Sequence, residues 1–337
     1  MTPPTTSLYV YSLLADVRED EVQETIVAIL PPRPSTALPV LAQVADVEVT
    51  VHGQTYGLRG GLQKGAESYN DYSSLHLSGP YAEPEVPDSH LVTLSICSPA
   101  FEIWEHSLPK ALDDLLHVFA SATLTTLKIV ADCQQADAPT WERVFLHLPH
   151  LASLALSVPL FPDLYGEYAS TGTLGEADTV FNGLLAASRA RSANAPGGPA
   201  DSEVEPQMAC PGLRVVSVVM DGILSPQLLD SVVACFRFRA ERDARLERLA
   251  VEQHSDIRLA PALRRSYVSQ LLEVVGNLSF SIAVGGRRRD YVDASGPAPG
   301  LYLSDDFVSD DSESDEVSDG GGADGDDAGD DASDWEY

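Results

Sequence analysis

Long apolar runs, paired cysteines and phosphate-binding or nucleophile motifs are all scarce in this chain, and each absence removes a class of function. No apolar stretch approaches the 18 or more residues that a spanning helix needs, and Met1 to Val10 lacks the basic start of a signal peptide. An intracellular protein, cytoplasmic or nuclear, is therefore expected. The four cysteines, Cys97, Cys133, Cys210 and Cys235, form no C-x-x-C pair, which points to reduced structural thiols instead of a zinc or redox motif. G-x-x-x-x-G-K-[ST] and G-x-S-x-G do not occur, and the G-x-G-x-x-G spacing at Gly320–Gly325 falls in an Asp- and Ser-rich tail without the apolar strand such a motif follows, so no phosphate cradle or nucleophile elbow is indicated. His147 and His150 make an H-x-x-H, but Pro149 stands between them and no Glu follows at a metalloprotease spacing, so a polar helix end is expected there. No catalytic set, cofactor site or metal site is expected, and the chain is not expected to be an enzyme.

Positive charge is also scarce. The chain has 21 Lys and Arg against 51 Asp and Glu, a formal net charge of −30. From Ser304 to Tyr337 there are 15 acidic residues and no basic ones, so residues 1–303 carry the other −15. An acidic body repels phosphate backbones and anionic lipid heads, which argues against nucleic acid and membrane as partners. The tail is rich in Ser, Gly and Asp and cannot bury enough apolar area to offset its ordering entropy, so disorder is expected over 304–337. Arg287, Arg288 and Arg289 form the one dense basic run and read as a solvated loop or an import patch.

What the chain has in quantity is a spacing. Leu124, Leu127 and Ile129 stand at positions 1, 4 and 6 of a short run, and Leu151, Leu154 and Leu156 repeat it 27 residues later. Between them Trp141, Val144, Phe145 and Leu148 fall at i, i+3, i+4 and i+7, one face of a helix that Asp137 and Pro139 open and Pro149 closes. The triplet returns at Leu91/Leu94/Ile96, Leu213/Val216/Val218 and Leu246/Leu249/Val251, and more loosely at Val44/Val47/Val49, Tyr72/Leu75/Leu77 and Val275/Leu278/Phe280. A strand and helix of this size bury their apolar faces only against copies of themselves, so a repeat architecture is expected over residues 1–303. One interval, of 62 residues, is either two repeats or one with an insertion.

In chain order, SLYVYSLL reads as an opening strand and Glu19 to Leu30 as a short amphipathic helix stopped by Pro31 and Pro32. Pro39 to Val51 alternates like a half-buried strand of a first repeat, and Gly53, Gly57, Gly60 and Gly61 read as turns. Tyr72 to Leu77 and Leu91 to Ile96 read as strands flanking a Pro-rich connection. Leu108, Leu112, Leu115 and Phe119 mark a helix whose Asp113 and Asp114 are expected to be solvated. Val180, Phe181, Leu184 and Leu185 mark another, and residues 189–209, rich in Pro, Gly and acid, read as a mobile insertion. Ser225-Pro226 opens a helix running to Ala240, Val268 to Val275 a last one, and the repeats are expected to end near Val284.

If the triplets are strands, positions 4 and 6 face the core and positions 3 and 5 the other side. That second face is Ser74, His76, Thr93, Ser95, Thr126, Lys128, Ser153, Ala155, Val215, Ser217, Arg248 and Ala250, small and polar with few charges. It is a candidate protein-binding platform.

The pieces TLTTLKI, DAPTWERVFLHLPHLASLALS, CPGLRVVSV and CFRFRAERDARLERLAV, with an acidic tail ending in DWEY, give Leu91 to about Leu278 a pattern that resembles the leucine-rich-repeat-like region of mushroom-type fungal F-box proteins. The resemblance implies an α/β fold, an irregular leucine-rich-repeat-like solenoid, and a substrate-recognition role in cullin-type ubiquitin ligases. It does not extend to residues 1–60, where no L-P-x-E-[IL] opening occurs, so binding of the ligase adaptor is expected only with an F-box upstream. Asp132, Pro159, Asp221 and His254 stand where a regular leucine-rich repeat often has Asn, implying irregular turns. Two readings follow: a non-catalytic protein–protein interaction scaffold, or a stand-alone binding module whose acidic tail engages basic proteins.

Overall fold

A computed structural model describes residues 8–13, 26–52, 55–62, 90–97, 107–158, 177–193, 208–220, 224–254, 260–284 and 287–295. The chain divides into two compact units, Met1–Gly300 and Leu301–Tyr337, and every described residue belongs to the first. The expected tail, the Tyr72/Leu75/Leu77 triplet and Val22 of the first helix lie outside the described residues.

The described residues form a mixed α/β structure with one open sheet of ten strands. The strands are β1 (Leu8–Leu13), β2 (Asp46–His52), β3 (Thr55–Gly61), β4 (His90–Cys97), β5 (Thr126–Val130), β6 (Ser153–Val158), β7 (Val215–Met220), β8 (Leu246–His254), β9 (Val275–Val284) and β10 (Arg287–Ser295). Their spatial order is β1-β4-β3-β2-β5-β6-β7-β8-β9-β10. From β2 through β9 the neighbours β2, β5, β6, β7, β8 and β9 are all parallel. Helices α3 (Leu108–Val118), α4 (Ala138–His147), α5 (Asp178–Ala193), α6 (Pro226–Ala240) and α7 (Pro261–Val274) connect strands, after two single turns α1 (Ile26–Ile29) and α2 (Pro34–Ala37). Parallel crossovers share one hand, so strands added always in the same direction place their helices on the same face of the sheet. In keeping with this, α4, α5, α6 and α7 pack side by side in chain order.

The triplets set the register. Val47, Leu127, Leu154, Val216, Leu249 and Leu278, the residues at position 4, stand level across six adjacent strands, and Val49, Ile129, Leu156, Val218, Val251 and Phe280, at position 6, form a second ladder. All twelve are buried. At about 1.5–3 kcal/mol for each fully buried large aliphatic side chain, these ladders are the main cohesion between sheet and helices. A backbone device recurs with them. The carbonyl at position 2 of one unit accepts the N–H groups of positions 2 and 3 of the next: Ala45 from Thr125 and Thr126, Thr125 from Ala152 and Ser153, Ala152 from Arg214 and Val215, and Arg214 from Glu247 and Arg248, all between 2.7 and 3.2 Å. At the fifth junction position 2 is Gly276, where a Cβ would come within 2.9 Å of the Glu247 carbonyl oxygen.

The helices begin and pack as their sequences dictate. Asp137 Oδ1 accepts from Thr140 N at 2.9 Å to cap α4, and Ser225 Oγ accepts from Leu228 N at 3.1 Å to cap α6, each followed by proline in the first turn. Trp141 and Phe145 stack with centroids 6.1 Å apart, and Phe181 meets Phe236 edge to face at 5.7 Å. α4 and α5 approach closely at Gly183, where a Cβ would lie 2.4 Å from Trp141 Cβ and 2.8 Å from the Ala138 carbonyl oxygen.

Several sequence expectations are corrected. Pro39–Gln43 is a 3-10 turn and not the start of a strand, with Leu41 turned into the core, and β2 begins only at Asp46. Gly57, Gly60 and Gly61 lie inside β3 and make no turn. A Cβ on Gly60 would lie 2.9 Å from Val44 Cγ1 and one on Gly57 3.2 Å from the Leu94 carbonyl oxygen, so close packing accounts for these two. β2 is followed by this antiparallel strand instead of a helix, so β3 and β4 separate the first triplet strand from β1. The Leu91/Leu94/Ile96 triplet is displaced by two residues. Leu94 stands level through Leu58 with Val49, a position-6 residue. β6 and β7 are direct neighbours, so the 62-residue interval is one enlarged unit. The segment expected to be mobile from residue 189 is helical through Ala193, and the chain is packed again by Met208, Ala209 and Cys210. Arg287, Arg288 and Arg289 are in β10, paired antiparallel with β9, so the sheet continues past Val284.

Candidate functional site

The face of the sheet opposite the ladders is built from the alternate residues of the same strands. Thr126, Ser153, Val215 and Arg248 form one row, which Asp46 and Asn277 extend. Thr93, Arg59, Glu48, Lys128, Ala155, Ser217, Ala250 and Ser279 form the next. Because β4 is displaced, Thr93 joins the Lys128 row, and Ser95 stands level with Gly57 and Thr50 in a third. Ten of the twelve expected residues are thus in register on one face. Ser74 and His76 lie outside the described residues. Thr93, Thr126 and Ala155 are buried, Arg248 is exposed and the remaining six are half-buried.

Toward the β4 end of this face Glu48 sits between two cations. Lys128 Nζ is 2.7 Å from Glu48 Oε2 and Arg59 Nη1 is 3.4 Å from Oε1. The Thr50 hydroxyl donates to Oε1 at 3.4 Å. The cluster carries a formal +1 and its side chains are 19–36% exposed, so solvent moderates each pair. From Lys128 toward β9 the same row holds only Ala and Ser. Chemically this is a surface for hydrogen bonding and close approach, with one charged group of fixed geometry.

Sequence reasoning missed Asp46, Glu48, Thr50, Arg59, Asn277 and Ser279. Asp46, Glu48, Asn277 and Ser279 are positions 3 and 5 of two of the three looser triplets, and Thr50 follows Glu48 on the same side, so the signal was present in the spacing. Arg59 comes from the antiparallel β3, which has no triplet.

The other candidates have structural settings. Asp114 corrects the expectation of solvation. It is buried, and its Oδ2 accepts from the Tyr56 hydroxyl at 2.6 Å and from Ile26 N at 2.7 Å. Burial lifts its pKa above the ordinary carboxylate value of 3.8, although those two donors, Val27 N–H and the Lys110 charge pull it down. The Tyr56 phenol is pushed up by burial first and by the Asp114 charge second. Asp113 is exposed and pairs with Arg143. His147 ends α4 with Nδ1 2.7 Å from the Arg143 carbonyl oxygen. Among the described residues no three His, Cys, Asp or Glu side chains converge as metal ligands. Cys133, Cys210 and Cys235 are buried free thiols, and burial pushes the last two up to about 12.

No family model, no curated protein and no solved structure matches the chain. Among the described residues no helix is long and apolar enough to cross a membrane.

Proposed function

We propose that this chain is a non-catalytic protein–protein interaction scaffold, an irregular leucine-rich-repeat-like solenoid whose polar sheet face receives a protein partner. In this reading it works in the cytoplasm or nucleus and is related to the substrate-recognition subunits of cullin-type ubiquitin ligases. The observation that carries it is the recurring position-2 carbonyl, which takes two N–H groups at four successive junctions. It supports repeated strand–helix units, and stacked units of that kind present a continuous face whose strand backbones are already paired with one another. The Arg59–Glu48–Lys128 cluster supplies orientation at one place on that face, and the small residues beyond it admit a partner's side chains.

The test is affinity capture with the wild-type chain and with a Ser217→Arg/Ala250→Arg variant that places bulk and charge on the face. Equal melting temperatures with loss of the captured partner are expected. An unchanged set of captured proteins from an equally stable variant overturns the reading.

A further inference from the structure

Of the chain's 21 Lys and Arg, 14 lie between Arg189 and Arg289, and several of these gather where α5 and α6 end. Helix C-termini carry a partial negative charge, and cations there satisfy the last carbonyls. Two of the arginines at this end are spent that way: Arg191 Nη2 donates to the Leu146 carbonyl at 2.8 Å and Arg242 Nη1 to Phe238 at 3.2 Å. The buried Arg239 instead donates to the carbonyls of Ala209 and Cys210, at the entry to β7, at 2.9 Å. Arg189 is different. It is exposed and makes no hydrogen bond or ion pair among the described residues, and its Cζ lies 5.6 Å from the centroid of the Phe238 ring. Arg242 Cζ lies 3.6 Å from that same centroid. Two guanidinium groups therefore share one half-buried aromatic ring, and Arg239, next in sequence to Phe238, is bound to carbonyls and pairs with no carboxylate among the described residues. Among the described residues, Glu241 lies 3.8 Å from Arg242 and is 62% exposed, and Asp243, next in sequence to Arg242, is exposed.

We propose that this end of the helix layer, separate from the sheet face, docks an acidic segment of a partner protein, with a carboxylate received by Arg189 and Arg242 beside the Phe238 ring. Guanidinium groups stacked on a ring keep their N–H edges directed outward, pre-organised for a planar anion. Capping of helix ends explains Arg191 and the Arg242–Phe238 bond, and Arg239 holds the entry to β7, but neither accounts for Arg189 beside the Phe238 ring. The cationic pair consists of two guanidinium groups in a chain of net charge −30, which favours one or two carboxylates over a continuous phosphate backbone.

The experiment measures binding of a fluorescein-labelled peptide of alternating Glu and Gly to the full chain by anisotropy, at low and at moderate salt. Arg189→Glu is the informative variant, because no hydrogen bond among the described residues is lost, and its melting temperature checks the fold. The expected result is salt-sensitive binding by the wild type, a loss of about ten-fold or more in Arg189→Glu with an unchanged melting temperature, and binding of the Lys/Gly counterpart peptide by the variant. Wild-type chain that ignores the acidic peptide at low salt, or Arg189→Glu that binds it equally well, overturns the proposal. So does a single-stranded oligonucleotide of the same charge that binds more tightly than the peptide and is lost in Arg189→Glu, since the site would then be one for nucleic acid.

Discussion

The hydroxyl of Tyr56 in β3 donates a 2.6 Å hydrogen bond to Asp114 in α3, and the same oxygen accepts the amide of Ile26 at the start of α1. Three segments distant in sequence thus meet on one buried carboxylate. The folded state holds the Asp114 proton to a higher pH than the unfolded chain does, because burial raises its pKa above 3.8. Between those two values the folded state binds more protons, so the group's contribution to stability is fully present below 3.8 and is lost as the pH rises through the folded value. Asp114→Asn removes this titration. Thermal unfolding from pH 4 upward is expected to show the wild type's advantage over the variant shrinking as pH rises, and a flat difference would show that Asp114 titrates alike in both states.

Gly183 admits no side chain while α4 and α5 stay in place. Gly183→Ala is expected to destabilise by about 1–3 kcal/mol through forced separation of the helices. Trp141→Ala, which keeps the Cβ facing Gly183 but removes the buried indole stacked on Phe145, should cost about 3–5 kcal/mol. Urea unfolding measures both, and an effect within error for either variant would mean that the contact is loose in solution.

Arg239 has no carboxylate partner in the described core, and its guanidinium holds the carbonyls of Ala209, Cys210 and Leu213 at the entry to β7. Arg239→Met keeps much of the apolar stem but orphans those carbonyls, and should cost roughly 2–4 kcal/mol. Hydrogen exchange locates the damage: faster exchange is expected at Leu213 to Val216 before it appears in β5 or β6.

Burial of Cys133, Cys210 and Cys235, with the latter two raised to about 12, keeps all three as thiols at neutral pH. A thiolate-selective reagent is expected to leave them unmodified in the native protein and to modify them on unfolding, as read by mass spectrometry of peptides. Modification of any of the three at native rates would place that thiol at the surface.

The parallel part of the sheet was legible because burial on one face forces large aliphatics to a fixed spacing. Positions 1, 4 and 6 mark strands whether or not their turns are regular, and Trp141, Val144 and Phe145 mark the helix that covers them. The hairpin was not legible, since glycines that permit close approach of Val44 and the Leu94 carbonyl look in sequence like glycines that turn the chain. Asp114 was misread for a related reason. A carboxylate beside an apolar stripe looks solvated until the tyrosine that meets it is located, and Tyr56 lies 58 residues away. The polar face was readable in β5 to β8, where a triplet fixes which residues share a side, and unreadable at Arg59, whose strand runs the other way.

The order of the strands also dictates an order of assembly. β6, β7, β8 and β9 each pair with the strand that precedes them in the chain, so each unit can dock as soon as it leaves the ribosome. β1 is the first of the described strands in chain order, yet it pairs with β4, Leu8 with Val92, and β4 is joined to β2 through β3. The opening strand must therefore wait, unpaired, while more than 80 residues are made, and it completes its edge of the sheet only after β2, β3 and β4 have formed.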